Sequence, residues 1–262
     1  YLGSFENVLK KIAKLQNNEV IGESPRKFES PMVIIDPIDR NRNLGAAISI
    51  QNVTSFILIA RNFLKKSSIS YFKVGRKMDG SNKLFSNVLF VHFKYKKRSD
   101  DIIYGQIKRA ATSVESQLNK EGFNVLRTDA LAYDDNQASL IFLLESLTIN
   151  KQETRTGPEV FLSDFSTKFI HSNSKKSKLM WIDKNGKIKS IQTRRYENAK
   201  SYLNDLIKNH IGESGIPKGL RADFKAGFKI VEYGELKKAE WTSAVRRSQR
   251  LVTTDDRSFS TN

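Results

Sequence analysis

The sequence predicts an α+β fold in three parts, and three observations carry that prediction. Up to residue 66 apolar residues recur mainly at helical spacing. From residue 84 the pattern changes to strand, helix, strand, strand. After residue 150 a polar stretch leads to a hairpin, a helix and a further strand, all strongly basic. The expected division is 1–66, 67–150 and 151–262.

Phe5, Val8, Leu9, Ile12 and Ala13 follow a Ser4 N-cap in the spacing of an amphipathic helix. Residues 16–30 read as polar and irregular. Pro31-Met32-Val33-Ile34-Ile35 is strand-like and stops at Asp36-Pro37, because proline fixes its own φ and restricts the residue before it. Ser49 to Lys66 is a second helix, with Val53, Phe56, Ile57, Ala60, Phe63 and Leu64 on one side. The run Gly45-Ala46-Ala47 before it permits close packing.

Val88 to Tyr95 is a β-rich run, followed by the basic turn Lys96-Lys97-Arg98-Ser99. Asp100 to Lys120 is helical, with Ile103, Ile107, Ala110, Ala111, Val114 and Leu118 inward and a stop at Gly122. Val125 to Tyr133 and Ala138 to Leu147 read as strands paired about Asp134-Asp135-Asn136. This order opens a ferredoxin- or RRM-like α+β unit. Phe90, His92 and Phe93 are available for base stacking on such a sheet, burial being their other fate.

Lys151 to Val160 reads as a linker and Phe161 to Phe169 as a short helix. Lys178 to Ile188 reads as a hairpin whose Asn185-Gly186 suits a type I′ turn. Glu197 to Ile211 is helical, with Ala199, Leu203, Leu206, Ile207 and Ile211 on one face, and Phe228 to Tyr233 is a strand. The basic stretch Arg246 to Arg250 and the residues after it are expected to be loosely ordered.

Lys and Arg total 45 against 28 Asp and Glu, a net charge of +17. The balance is +1 over residues 1–60, +10 over 61–128, −4 over 129–150 and +10 over 151–262. Such segregation suits a polyanion that touches two separate regions. No apolar run nears the roughly 20 residues that span a bilayer. No long basic amphipathic helix with an apolar face stands out either, so nucleic acid is favoured over membrane. The absence of cysteine removes disulfides and thiolate metal sites and suits a cytoplasmic protein. His92, His171 and His210 are too dispersed for a zinc site. The chain opens at Tyr1 with neither Met nor a signal pattern, and is expected to be an excised part of a longer one.

The densest constellation is Asp36-Pro37-Ile38-Asp39-Arg40-Asn41-Arg42-Asn43. By itself it reads as an Asx-type turn capping the next helix. DPxDxxRN followed by small residues also resembles the end of the central domain in archaeal-type (class I) CCA-adding tRNA nucleotidyltransferases. Gly3-Ser4-Phe5 with its helix, Arg155-x-Gly157-Pro158 and Ser214-Gly215-Ile216-Pro217-Lys218-Gly219-Leu220 resemble the same family, in the same order. The resemblance implies the end of a central domain, a body and a tRNA-binding tail, without the catalytic head. It implies that Arg42 and Asn43 lie beside the nucleotide pocket, with Asp36 and Asp39 orienting Arg42 or capping the next helix. The competing reading pairs Arg42 with Asp36 or Asp39. The implied partners are tRNA, through its acceptor stem and T-arm, with CTP and ATP as substrates of the full-length enzyme. Mg2+ would be held by the missing head and not by this segment. A homodimer is compatible with the resemblance.

Two-metal nucleotidyl transfer needs paired carboxylates. No Gly-Ser loop followed by Asp-x-Asp occurs here, and Asp100-Asp101, Asp134-Asp135 and Asp255-Asp256 are adjacent pairs that would diverge on a strand. The segment alone is expected to be catalytically silent. Recognition of RNA backbone remains, for which the candidates are Arg76, Lys77, Lys96, Lys97, Arg98, Lys108 and Arg109. Lys175, Lys176, Lys178, Arg194, Arg195, Lys218 and Arg221 supply a second set, each with plain surface solvation as its alternative. Two other classes stay open: a non-catalytic RRM-like RNA-binding module, and a fragment of a poly(A)-polymerase-like enzyme. The basic tail argues against the second.

Overall fold

The structure, a computed structural model, describes residues 3–46, 48–72, 83–236, 242–253 and 256–259. Tyr1, Ala47, Arg76, Lys77 and Asp255, on which expectations fell, lie outside the described residues. Helix and strand interleave along the chain, giving an α+β fold in two compact units, residues 1–78 with 253–262 and residues 79–252.

In the first unit α1 (Phe5–Ala13) is capped by Ser4, whose Oγ accepts from Asn7 N at 3.2 Å. It buries Leu9 and Ile12, while Phe5 and Val8 stay exposed. Within the stretch read as irregular, β1 (Glu19–Ile21) pairs in parallel with β2 (Met32–Ile34). Three residues are too few for alternation to register, so only the tertiary pairing defines β1. α2 (Ile50–Lys65) starts at Ser49 and packs Val53 and Ala60 into the same core as α1. Phe56, expected on that face, is exposed because it lies about 60° around the helix from Val53, at the stripe's rim. α8 (Asp256–Phe259) rests on α2, with Asn62 Nδ2 donating to Ser258 O at 2.8 Å.

The second unit is built on β3 (Val88–Lys94), α3 (Asp100–Glu121), β4 (Val125–Tyr133) and β5 (Gln137–Leu144). Its main sheet is antiparallel in the order β4-β5-β3-β9, where β9 (Phe228–Glu232) sets Val231 opposite Phe90. The fourth strand therefore comes from beyond residue 151, a region the sequence had assigned to a separate tail. This is a split β-α-β connectivity with a long insertion. The insertion comprises β6 (Gln152–Glu159), α4 (Ser163–Asn173), β7 (Ser177–Ile182) and β8 (Lys187–Thr193), whose strands form a sheet in the order β6-β8-β7. α5 (Ala199–Asn209) and α6 (Lys218–Ala226) return the chain to the main sheet.

Both faces of that sheet are covered, which is why β3 and β5 read as continuous apolar runs. On one face Leu89, Val91, Phe93, Leu140 and Phe142 pack with Ile107, Leu118, Leu203 and Phe224 of α3, α5 and α6. On the other, Val88, Phe90, Ile141 and Leu143 lie under α7 (Thr242–Val252). The expectation of a loose basic end is corrected here. Ala244, Ser248, Leu251 and Val252 are buried at i, i+4, i+7 and i+8, a stripe interrupted in sequence by Arg246, Arg247 and Arg250. Arg247 pairs with Asp129, and Arg127 Nη1 donates to the carbonyls of Arg250 and Leu251 at 2.9 and 2.7 Å.

Two further expectations change. Lys151 to Val160 is no linker, because residues 152–159 are the edge strand β6. Pro158 is tolerated at an edge, and Gly157 leaves room for the Phe169 ring, which a Cβ would approach to 2.8 Å. The β7–β8 turn is not type I′, since Gly186 (φ 73°) is left-handed and Asn185 is not. Asp183 makes the turn instead: its Oδ1 accepts from Asn185 N and Lys187 N, while its carbonyl accepts from Gly186 N.

Candidate nucleic-acid interface

The motif 36–43 forms a loop closed at its base by an antiparallel bridge between Ile35 and Asn43. Asp36 N donates to Arg42 O at 3.0 Å, and Arg42 N to Asp39 O at 2.9 Å. Each carboxylate closes a local turn: Asp36 Oδ1 accepts from Ile38 N and Asp39 Oδ1 from Asn41 N, both at 2.9 Å. Neither caps α2, which Ser49 does. Neither forms an ion pair with Arg42, whose side chain is exposed. Asn43 is 8% exposed, and its Oδ1 accepts from Ile34 N at 2.9 Å and Gly45 N at 2.8 Å. Its Nδ2 is buried without a partner. The loop is thus a braced scaffold that holds the Arg42 guanidinium outward, with no ion-pair partner among the described residues.

The candidate phosphate contacts separate by their partners. Arg98 is committed inward, donating from Nη2 to Gly219 O at 2.9 Å and to Asp223 Oδ2 at 2.7 Å. Asp223 is buried and also accepts from Lys96 N, so the β3–α3 loop is tied to α6. Arg194 is equally committed, to Glu121 O at 2.7 Å and Glu153 Oε2 at 3.1 Å. Arg221 of α6 donates to Ile216 O and Gly212 O in the segment that precedes the helix. Arg195 lies over the Tyr196 ring and within 3.6 Å of Asp205. Lys96, Lys97, Lys108, Arg109, Lys175, Lys176, Lys178 and Lys218 are exposed and enter no ion pair among the described residues. Arg76 and Lys77 lie outside the described residues.

The unpaired cations fall into two groups. Arg98 draws Lys96 and Lys97 to the start of α6, where Lys218 stands, and the side chain of Gln106 on α3 packs against Gly219. Arg109 lies one turn beyond Gln106 on α3, whereas Lys108, two positions on, projects about 200° around the helix from it. Lys175, Lys176 and Lys178 occupy the α4–β7 junction of the inserted sheet. Sequence reasoning missed Lys168 on α4 and Lys225 on α6, both exposed. The i+3 spacing of Lys168 from Phe165 would have shown it.

The sheet itself offers no open aromatic platform at Phe90 or Phe93, which are 0% and 1% exposed. His92 is half-buried, with Nδ1 beside Ser139 Oγ and Nε2 beside Gln137 Oε1, both at 3.1 Å. Burial holds its imidazole below the ordinary value; the Gln137 bond opposes this, and Lys229 and Lys94 add to it. Tyr196 donates to Asp205, and its phenol is pushed up to about 12 by burial first and then by that carboxylate. Among the described residues no group of three or more His, Asp or Glu side chains could hold a metal ion. The Mg2+ implied by the resemblance therefore finds no fitting cluster there. No described helix is long and apolar enough to cross a membrane.

Comparison with known proteins agrees in order and extent. Residues 86–233 match the family model for the CCA-adding enzyme, C-terminal domain, and residues 1–73 that for the tRNA nucleotidyltransferase, second domain. The chain is 29% identical over 244 residues to the CCA-adding enzyme of Pyrobaculum islandicum, covering 92% of this chain and 54% of that protein. It is 33% identical over 205 residues to that of Saccharolobus shibatae, covering 77% and 48%. The chain spans about half the length of the curated relatives it matches. With one family model spanning more than half of its length and a second matching residues 1–73, this chain belongs to the archaeal-type CCA-adding enzyme family of tRNA nucleotidyltransferases.

Proposed function

We propose that this chain is the tRNA-holding part of an enzyme that adds CCA to tRNA 3′ ends from CTP and ATP, releasing pyrophosphate. The observation that supports it is the set of unpaired cations in two groups, one along α3 and α6 and one on the inserted sheet. Cations free of carboxylate partners are available to phosphates, and their separation suits a rod-like RNA duplex read by shape and backbone. The acceptor stem and T-arm supply such a rod. In this reading Arg42, exposed on its braced loop, meets the incoming base and the tRNA end together, its fork of donors suiting acceptors on both cytosine and adenine. Residues 1–66 then contribute to the nucleotide pocket. The Mg2+-dependent chemistry belongs to carboxylates outside this segment.

Binding of this chain to a tRNA transcript at two salt concentrations, beside a single-stranded RNA of equal length, tests the reading. Tighter binding of tRNA, falling steeply as salt rises, is expected. Equal affinity for both RNAs would sink it and leave a generic basic RNA-binding module. A base-stacking RRM-like mode has no support at Phe90 and Phe93, both being buried.

A further inference from the structure

The insertion ends in an apolar surface that its own core does not use. Where β6 passes into α4, Phe161 is 92% exposed, Phe165 65% and Leu162 51%. α4 turns Ser166, Phe169 and Asn173 toward its sheet: Phe169 packs on Gly157, and Asn173 Oδ1 accepts from Gln192 Nε2 at 2.8 Å. Phe161 and Phe165 are left on the outer side. Lys168 lies one turn beyond Phe165, and Lys175 and Lys176 follow the helix's end, all exposed and without ion pairs among the described residues. Two exposed rings and Lys168 thus lie about the start of α4, with the exposed Asp164 between the rings, and Lys175 and Lys176 follow the helix's end. Residues 151–196 as a whole carry 11 basic and 4 acidic groups.

We propose that this edge is a base-stacking site for a folded RNA, in which Phe161 and Phe165 receive unpaired or helix-terminal bases while Lys168, Lys175 and Lys176 take the flanking phosphates. The assignment rests on the RNA-binding reading above and deepens it. A nucleotide presents a flat π-face beside an anion, and this edge presents rings beside ammonium groups in the same order. A protein partner of matching acidity would satisfy the lysines, yet it would not need exposed flat rings interleaved with them. A lipid surface favours long helices with apolar and basic faces opposed, whereas α4 has 11 residues and its exposed ring, Phe165, and its lysine, Lys168, are i,i+3 neighbours.

The test uses the 262-residue chain and a tRNA transcript, with Phe161→Ser, Phe165→Ser and the double variant. Both rings are exposed, so the urea midpoint should stay at the wild-type value. The double variant is expected to lose about 10- to 100-fold in tRNA affinity, with the slope of log affinity against log salt unchanged. Lys175→Gln with Lys176→Gln should instead lower that slope, by about one per lysine. Wild-type affinity in the double variant overturns the stacking site while leaving tRNA binding intact. Failure of the unmutated chain to bind tRNA removes both readings at once. Loss of binding to phosphatidylserine–phosphatidylcholine vesicles in the double variant, with tRNA affinity preserved, reassigns the edge to a lipid surface.

Discussion

At the scale of single residues, adjacent positions of one loop carry opposite duties. Arg42 faces solvent, while the Asn43 amide oxygen holds two backbone donors. Asn43→Ala is expected to cost about 1–3 kcal/mol, since it strands buried N–H groups of Ile34 and Gly45. Arg42→Ala should stay within about 0.5 kcal/mol of wild type. Urea denaturation of the two variants checks the contrast, and equal losses would remove the scaffold role given to Asn43. The sequence marked this loop by its density of Asp, Arg and Asn, but not which residue braces and which projects. That division depends on Ile34 and Gly45 being close enough to share one amide oxygen. A second residue-scale effect is alkaline. The Tyr196 phenol is held up to about 12 in the fold against an ordinary value of 10, so its contribution to stability is complete below pH 10. It is lost as pH rises through 12. The fall in urea midpoint between pH 9 and pH 11.5 should be smaller in Tyr196→Phe.

At the scale of elements, legibility followed burial pattern. α3 and β5 were readable because one has a clean helical stripe and the other is apolar on both faces. β6 and α7 were not: Gly157-Pro158 resembles a breaker, and the four buried residues of α7 are separated by Arg246, Arg247 and Arg250. Both depend on a partner surface, respectively β8 and the face of the main sheet bearing Phe90 and Ile141. Leu251→Ala in α7 is therefore expected to destabilise the second unit by about 2–5 kcal/mol. An unchanged urea midpoint would show that α7 does not cover the sheet in solution. Arg98→Met offers a related check, because it leaves the buried Asp223 carboxylate unpaired. It should cost about 3–5 kcal/mol. Any loss of tRNA affinity in that variant should accompany unfolding and leave the salt slope intact.

At the scale of the whole molecule, charge and topology were legible to different degrees. The two basic regions could be counted from the sequence, yet only the fold separates Arg98 and Arg194, which pair with carboxylates, and Arg221, whose guanidinium is held by backbone carbonyls, from the lysines that remain available. Lys96→Gln with Lys97→Gln should accordingly lower the salt slope of tRNA binding by about two. Arg221→Gln should leave the slope unchanged and lower the urea midpoint. The placement of β9 has a consequence for synthesis. β3 and β5 can pair once residue 144 has been made, but the outer edge of β3 waits for residues 228–232, roughly 90 residues later. At ribosomal speeds of about 5–20 residues per second, a largely apolar strand keeps an unpaired edge for roughly 4–18 s. Nascent chains of this protein thus pass through a window in which edge-to-edge association competes with completion of the sheet, and slowing translation within codons 145–228 should raise the aggregated fraction.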